Sequence, residues 1–268
     1  TYHGHLLHGY FGRFISRVLV LVEQVLARST TTLVAVGARV RDDLVASGIG
    51  HHEQYEVIPP GVASVATIGR ESARIRLGLP PDVPVVLFVG RLTSIKRPDR
   101  LIEAMSLVLE SRPDAVLGLV GEGDLLKETR IRAEPLGSAV HFLGWQPDIA
   151  SLYVASDCVV LTSDSEGMPV TLIEAAMAGV PAVTTDVGSA REVVLDGVTG
   201  LVVAPEAAAV ADGILRLLDP NLRNLMGAAA LARANTEFNT QRLIADHAAL
   251  YDRLISTLDT GGPQAGGG

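Results

Sequence analysis

The stretch VPVVLFVGRLTSIKRPDRLIEAMSLVLESRPDAVLGLVGEG, residues 83–123, decides the fold. It opens with a β-branched apolar run at 83–89, breaks at Gly90, takes helical spacing over 97–110, and returns to an apolar run at 115–120. A strand that is apolar throughout, rather than at alternate positions, is buried on both faces. Two such strands joined by an amphipathic helix make a βαβ unit, the building block of a parallel sheet covered on both sides.

Outward from this stretch the same alternation continues. Further strand candidates lie at 32–36, 55–58, 139–143, 158–162, 182–185 and 200–203, with helical segments such as 125–133 and 149–155 between most of them. The pattern predicts a doubly wound α/β fold without solenoid repeats. Ile58-Pro59-Pro60-Gly61 closes one strand with residues that cannot continue regular structure, and 62–68 has no clear period, so a domain boundary is expected there. Residues 63–238, holding six of the eight strand candidates, suffice for a complete Rossmann-like domain. Residues 1–62 carry two strands and helices at 14–28 and 38–47, too few for an independent α/β domain, and read as the remnant of a preceding one. Past Val203 the chain turns helical at 205–218, 221–235 and 241–257. Residues 239–258 form a terminal helix, and the Gly-rich tail 259–268 is expected to be disordered.

The composition bounds the function. Lys and Arg total 22 against 30 Asp and Glu, a formal charge of -8, which argues against a broad nucleic-acid surface. No run of Lys and Arg signals an anionic membrane. No apolar run reaches transmembrane length, since Arg17, Glu23 and Gln24 interrupt the nearest one. The single cysteine, Cys158, lies inside an apolar run and reads as a small buried hydrophobe.

Four candidate sites sit where an apolar strand gives way to a helix or loop, the place where ligands bind in open parallel sheets. After residues 83–89, Gly90 allows a sharp turn and Arg91 and Lys96 follow, a planar fork and a mobile point charge suited to a diphosphate. Two solvated surface charges are the competing reading. Gly121-Glu122-Gly123-Asp124 lacks the third glycine of the dinucleotide fingerprint, with Leu126 in its place, and reads as a tight turn.

The richest stretch is SDSEGMPVTLIE, residues 163–174. Pro169 suits the first turn of a helix. The amides of Val170 and Thr171 would then point out of the helix N-terminus toward an anion. Glu166 precedes the helix and Glu174 lies more than one turn inside it, so two acids meet a ligand at different distances. Alternatively, Glu166 is a capping acid and Glu174 an exposed helix residue, although the apolar neighbours of Glu174 favour a polar cavity over open solvent. The fourth exit, Thr185-Asp186-Val187-Gly188, says little alone. His3, His5 and His8 lack an accompanying carboxylate or cysteine at ligand spacing, which disfavours a metal site.

Together the pieces VIPPGV, LFVGRLTSIKRPDRLIEA, LGLVGEGDL, VHFLGW and LYVASDCVVLTSDSEGMPVTLIEAAMAGVPAVTTDVGSAREVVLDGVTGLVV, in this order, resemble the retaining GT-B glycosyltransferases of "group 1", family 4. Glu166 and Glu174 match the family's Glu-x7-Glu signature. The resemblance implies a GT-B fold with a complete C-terminal Rossmann-like domain and a truncated N-terminal, acceptor-side one. The terminal helix would cross back onto the latter. It implies that Arg91 and Lys96 hold the donor diphosphate, that Glu166 touches the transferred sugar, and that Glu174 binds the ribose. Gly90, Gly167, Met168, Pro169, Val170 and Thr171 would complete the donor site, His3 would face the sugar across the cleft, and VHFLGW would lie near the nucleobase.

The implied partners are a nucleotide-sugar donor and a carbohydrate or lipid-linked acceptor, with no nucleic acid, cofactor or metal. The implied setting is polysaccharide or glycolipid synthesis in the cytoplasm, with peripheral membrane contact through the missing N-terminal part. A GT-B epimerase or phosphorylase, and a non-catalytic nucleotide-binding fragment, are the competing functions.

Overall fold

The computed structural model describes residues 1–4, 13–64 and 69–260; His5, His8 and the tail from 261 lie outside them. Six parallel strands form the main sheet in the order β5-β4-β3-β6-β7-β8. They are β3 (Val85–Val89), β4 (Val116–Val120), β5 (Val140–Gly144), β6 (Cys158–Leu161), β7 (Ala182–Thr185) and β8 (Gly200–Val203). The chain winds outward from β3 to β5, then returns to the other side of β3 with β6. The strand order therefore reverses between β3 and β6, and a crevice opens beyond their carboxyl ends.

Alternation along β3 feeds two cores. Val86 and Phe88 pack into a cluster with Leu101 and Met105 of α4 (Pro98–Ser111) and Val210 and Ile214 of α9 (Ala207–Leu217). Leu87 faces the opposite cluster, with Tyr153 of α6 (Ile149–Ala155), Leu172 and Ile173 of α7 (Val170–Met177), and Ala230 of α10 (Pro220–Glu237). Both faces are dry, which explains the unbroken apolar runs. Burying one such side chain stabilises by about 1.5–3 kcal/mol. The remaining helices of this part are α3 (Arg70–Leu77), α5 (Leu126–Ala133) and α8 (Ala190–Val193).

Helix α3 gave no periodic signal because its inward position is an arginine. Arg74 is 2% exposed, and it donates from Nε to the Ala155 carbonyl and from Nη1 to the carbonyls of Pro80, Pro81 and Val83. Its Nη2 donates to Asp157, whose other oxygen takes Arg70 at 2.6 Å and also Arg223. Asp157 further accepts from the Val85 amide. A buried charge is tolerable only when paired and hydrogen-bonded in this way.

The first 62 residues contribute α1 (Arg13–Arg28), β1 (Leu33–Ala35), α2 (Ala38–Ala46) and β2 (Tyr55–Val57). β1 and β2 pair in parallel, and Tyr2 bridges to the free side of β1. Their apolar residues join the cluster around Tyr153 and α7, so the two parts share a core. The last helix, α11 (Thr240–Thr260), runs back over this region. There Leu250 packs with Val34 and Ile58, and Arg242 donates to the carbonyls of Pro59 and Pro60 at 2.6 and 3.0 Å. The outer face of α1 leaves Phe14, Leu21 and Val25 in solvent.

Candidate functional site

The loops leaving β3 and β6 meet at the crevice. Gly90 turns the chain off β3, its amide donating to the Val120 carbonyl, and a 3-10 turn at Ser94–Lys96 then presents Lys96. The loop after β6 carries Ser163 to Pro169 and leads into α7. Pro169 caps α7 from outside, with φ -74° and ψ 106°, so the helix begins at Val170; the sequence reading had put the proline inside the first turn. The amides of Val170 and Thr171 remain without helical partners, as at any helix start.

A cavity of about 500 Å³ lies between these loops. Gly90, Arg91, Lys96, Glu166, Gly167, Met168, Pro169, Val170 and Thr171 line it, and His3 closes it from the amino-terminal side. Ten of the eleven residues expected to form the donor site thus line one cavity. Glu174, the eleventh, is not on that lining. It sits half-buried one turn further along α7, where its Oε2 accepts from the Tyr153 hydroxyl at 2.7 Å. Trp145, at the end of β5, stands 72% exposed and does not line the cavity either.

Two charges in the cavity wall already face each other. Lys96 Nζ donates to Glu166 Oε1 at 2.5 Å, and the Ser163 hydroxyl donates to the same oxygen at 2.5 Å. Arg91 is exposed and takes part in no ion pair among the described residues. The mouth of the cavity therefore holds one uncompensated cation, one paired cation and two free amides, an arrangement that attracts an anion.

A second set of charges, which sequence reasoning missed, holds the two loops together. Asp164 accepts from Arg97 at 2.9 Å and from Arg100 at 2.7 Å, and its amide donates to the Ile95 carbonyl. Arg100 is buried and also donates to the Thr162 carbonyl, while the Thr162 hydroxyl donates back to the Lys96 carbonyl at 2.9 Å. Arg97 has φ 51°, a left-handed conformation that costs a non-glycine residue about 1 kcal/mol or more. Asp99 and Asp164 bind its guanidinium on both sides and offset that strain. Burial pushes the Asp164 carboxyl up, but the hydrogen bonds from Arg97 and Arg100 outweigh it and hold the group below the ordinary range.

Backbone contact joins the amino-terminal part to the site. A methyl group at Gly167 would collide with the His3 carbonyl, so only glycine lets these two segments touch. The Gly167 carbonyl accepts from the Ser189 amide, and Glu192 one turn later accepts from the amides of Ala38 and Arg39 at the start of α2, both at 2.8 Å.

Among the described residues no group of three His, Cys, Asp or Glu side chains could hold a metal ion, and no helix is long and apolar enough to cross a membrane. Cys158 is fully buried, and burial raises its thiol pKa far from a reactive range.

This crevice, with its cationic loop after β3 and its acid-flanked helix start after β6, is that of a GT-B glycosyltransferase fold. The family model "Glycosyl transferases group 1" matches residues 69–233, more than half of the chain, and the chain belongs to that family. It is similar to the D-inositol 3-phosphate glycosyltransferases of Segniliparus rotundus, at 37% identity over 206 residues, and Nocardia farcinica, at 36% over 197. These matches cover 69% and 68% of this chain but only 46% and 44% of the relatives. The chain thus spans about half the length of these relatives. Among solved structures, Anabaena Alr3699/HepE in complex with UDP and glucose superposes with a TM-score of 0.84 at 26% identity, over 94% of this chain and 70% of that one. Sucrose-phosphate synthase from Thermosynechococcus elongatus gives 0.80 at 27%, over 90% and 62%.

Proposed function

We propose that this protein transfers a hexose from a nucleoside-diphosphate sugar to an acceptor hydroxyl, with retention of anomeric configuration and without a metal. The observation that carries the reading is the convergence of Arg91, Lys96, Glu166 and the start of α7 on one cavity at the strand-order reversal. The bond between the anomeric carbon and the diphosphate oxygen breaks, and its electron pair leaves with the diphosphate. The acceptor oxygen bonds to the anomeric carbon, and its proton passes to the departing phosphate. Negative charge grows where Arg91, Lys96 and the amides of Val170 and Thr171 already stand, so the site stabilises the transition state more than the ground state. Lys96 is available once the diphosphate competes with Glu166 for it, and Glu166 then turns its oxygens to the sugar hydroxyls. His3 faces the same sugar, and Glu174 binds the ribose.

The complexes of Alr3699/HepE with UDP and with UDP-glucose support uridine as the first base to test. Inositol 3-phosphate is the first acceptor to test on the relatives' names alone, since more than half of each relative lies outside the matched stretch. Assembly of a polysaccharide or glycolipid at the inner face of a membrane is the setting we propose.

Thermal-shift measurements with a panel of nucleoside diphosphates and their sugars, followed by transfer from a labelled donor, test the reading. One diphosphate family should raise Tm, Glu174→Ala should weaken its binding, and Arg91→Ala should chiefly slow sugar release. Wild-type behaviour in both variants would overturn the assignment. Release of a free epimer or a sugar phosphate instead of a glycoside would replace transfer by epimerisation or phosphorolysis.

A further inference from the structure

Helix α7 buries most of its surface: Leu172, Ile173, Ala175, Ala176 and Met177 all pack inward. Val170, Thr171 and Glu174 are left on one open edge, three and four residues apart and so stacked on the same helical face. The first two line the cavity, and Glu174, which is not on its lining, follows them by one turn on the same helical face. Its rotamer is fixed from outside the cavity. Tyr153, on α6, is fully buried, and its hydroxyl spends its one proton on Glu174 Oε2. A carboxylate offers about four lone-pair positions, so Oε1 stays free to accept from a neighbouring diol. Burial alone pushes the Glu174 carboxyl up, and the tyrosine hydrogen bond works against that by favouring the charged form.

We infer that Tyr153 is a positioning residue for the ribose: it holds the ionised Glu174 carboxylate with one oxygen engaged and the other turned to the ribose hydroxyls of the donor nucleotide. The inference rests on the proposed donor site and assigns a role to a residue that never touches the ligand. A tyrosine that merely satisfies its own hydroxyl in the core would matter for stability and equally for every ligand; a positioning tyrosine matters only for ligands that carry the ribose diol.

Calorimetric titration of the protein with UDP, 2′-deoxy-UDP and inorganic pyrophosphate separates these cases. Tyr153→Phe should raise the Kd for UDP about five- to tenfold. It should change that for 2′-deoxy-UDP less, and leave that for pyrophosphate within about twofold. The UDP affinity of the variant should also fail at a higher pH on acidification than that of the wild type, because the group that favours the ionised Glu174 is gone. In a Glu174→Ala background Tyr153→Phe should add nothing. Equal losses for all three ligands, or no loss for UDP while Glu174→Ala weakens it, would overturn the role of Tyr153 and leave the donor site standing. If Glu174→Ala too leaves UDP binding unchanged, the ribose assignment itself falls. Should Tyr153→Phe not fold, the wild-type protein answers through the Tyr153 hydroxyl proton. That proton is expected as a downfield NMR resonance that persists when UDP is added, and its loss on UDP binding would overturn the inference.

Discussion

At the amino-terminal end of the six-stranded sheet, Asp157 is met by Arg70, Arg74, Arg223 and the Val85 amide, whereas at the carboxyl-terminal end Arg91 meets no acid among the described residues. Both ends gather charge where strands and loops join, and both draw on residues far apart in the chain. The difference lies in what is left over. Around Asp157 all three guanidiniums and the Val85 amide donate to one buried carboxylate, and the cluster holds α3, α6 and the start of β3 in place. Around the cavity a guanidinium and two helix amides remain unspent, and Lys96 is shared with an acid that can itself turn to a hydroxyl. The first cluster spends its hydrogen bonds on the fold, and the second leaves donors that we assign to a ligand.

The largest effect is expected from breaking the Asp157 end. Asp157→Ala strands buried Arg74 without its counter-ion and should cost about 3–5 kcal/mol in urea denaturation. Nucleotide affinity of the surviving folded fraction should stay near wild type, and a loss of affinity without a loss of stability would erase the contrast between the ends.

Arg91→Ala tests the opposite end. It should lower kcat for transfer about 10²–10³-fold while shifting stability by less than about 0.5 kcal/mol, since an exposed, unpaired cation contributes little to folding. Steady-state kinetics beside a melting curve decides it.

Gly167→Ala mixes the two behaviours, because its new methyl would meet the His3 carbonyl. The expected cost is about 1–3 kcal/mol of stability together with weaker donor binding. A variant as stable as wild type would mean that the amino-terminal segment yields freely at this contact.

The smallest effect is in pH. Glu174 is raised by burial, so the ribose contact proposed for its carboxylate is expected above that raised pKa and is lost as pH falls through it. Asp99 and Asp164 are depressed, so their contribution to stability is present above the ordinary aspartate value of about 3.9 and fades only as pH falls through their lower folded values. Nucleotide affinity should therefore decline on acidification at a pH where the melting temperature has not yet moved. A common midpoint for both would remove the distinction.

What was legible in the chain, and what was not, follows the range of each interaction. The eight strands of the described residues, and the helices at 97–110 and 221–235, stand in the sequence because burial on both faces, or on one stripe, imposes a local period; the helix at 14–28 shows its period although Phe14, Leu21 and Val25 face solvent. The turn at Gly90 was readable from a glycine directly after an apolar run, and Glu166 and Glu174 from their places before and inside the helix that follows β6. Helix α3 escaped because Arg74 occupies its inward position and breaks the apolar period. Arg97, Arg100 and Asp164 drew no reading as a group, since nothing in the stretch RPDR announces a partner 67 and 64 residues away. Tyr153 carried no signal of its own within the helical segment 149–155.

By itself, then, the amino-acid order determined the alternation of elements and the residue types at each strand exit, since these depend on neighbours within a few positions. Only the tertiary structure decided that β6 pairs beside β3, that Lys96 faces Glu166, and that Tyr153 reaches Glu174. Those outcomes depend on how strands dock across the sheet, and docking is settled by contacts between segments that no local pattern records.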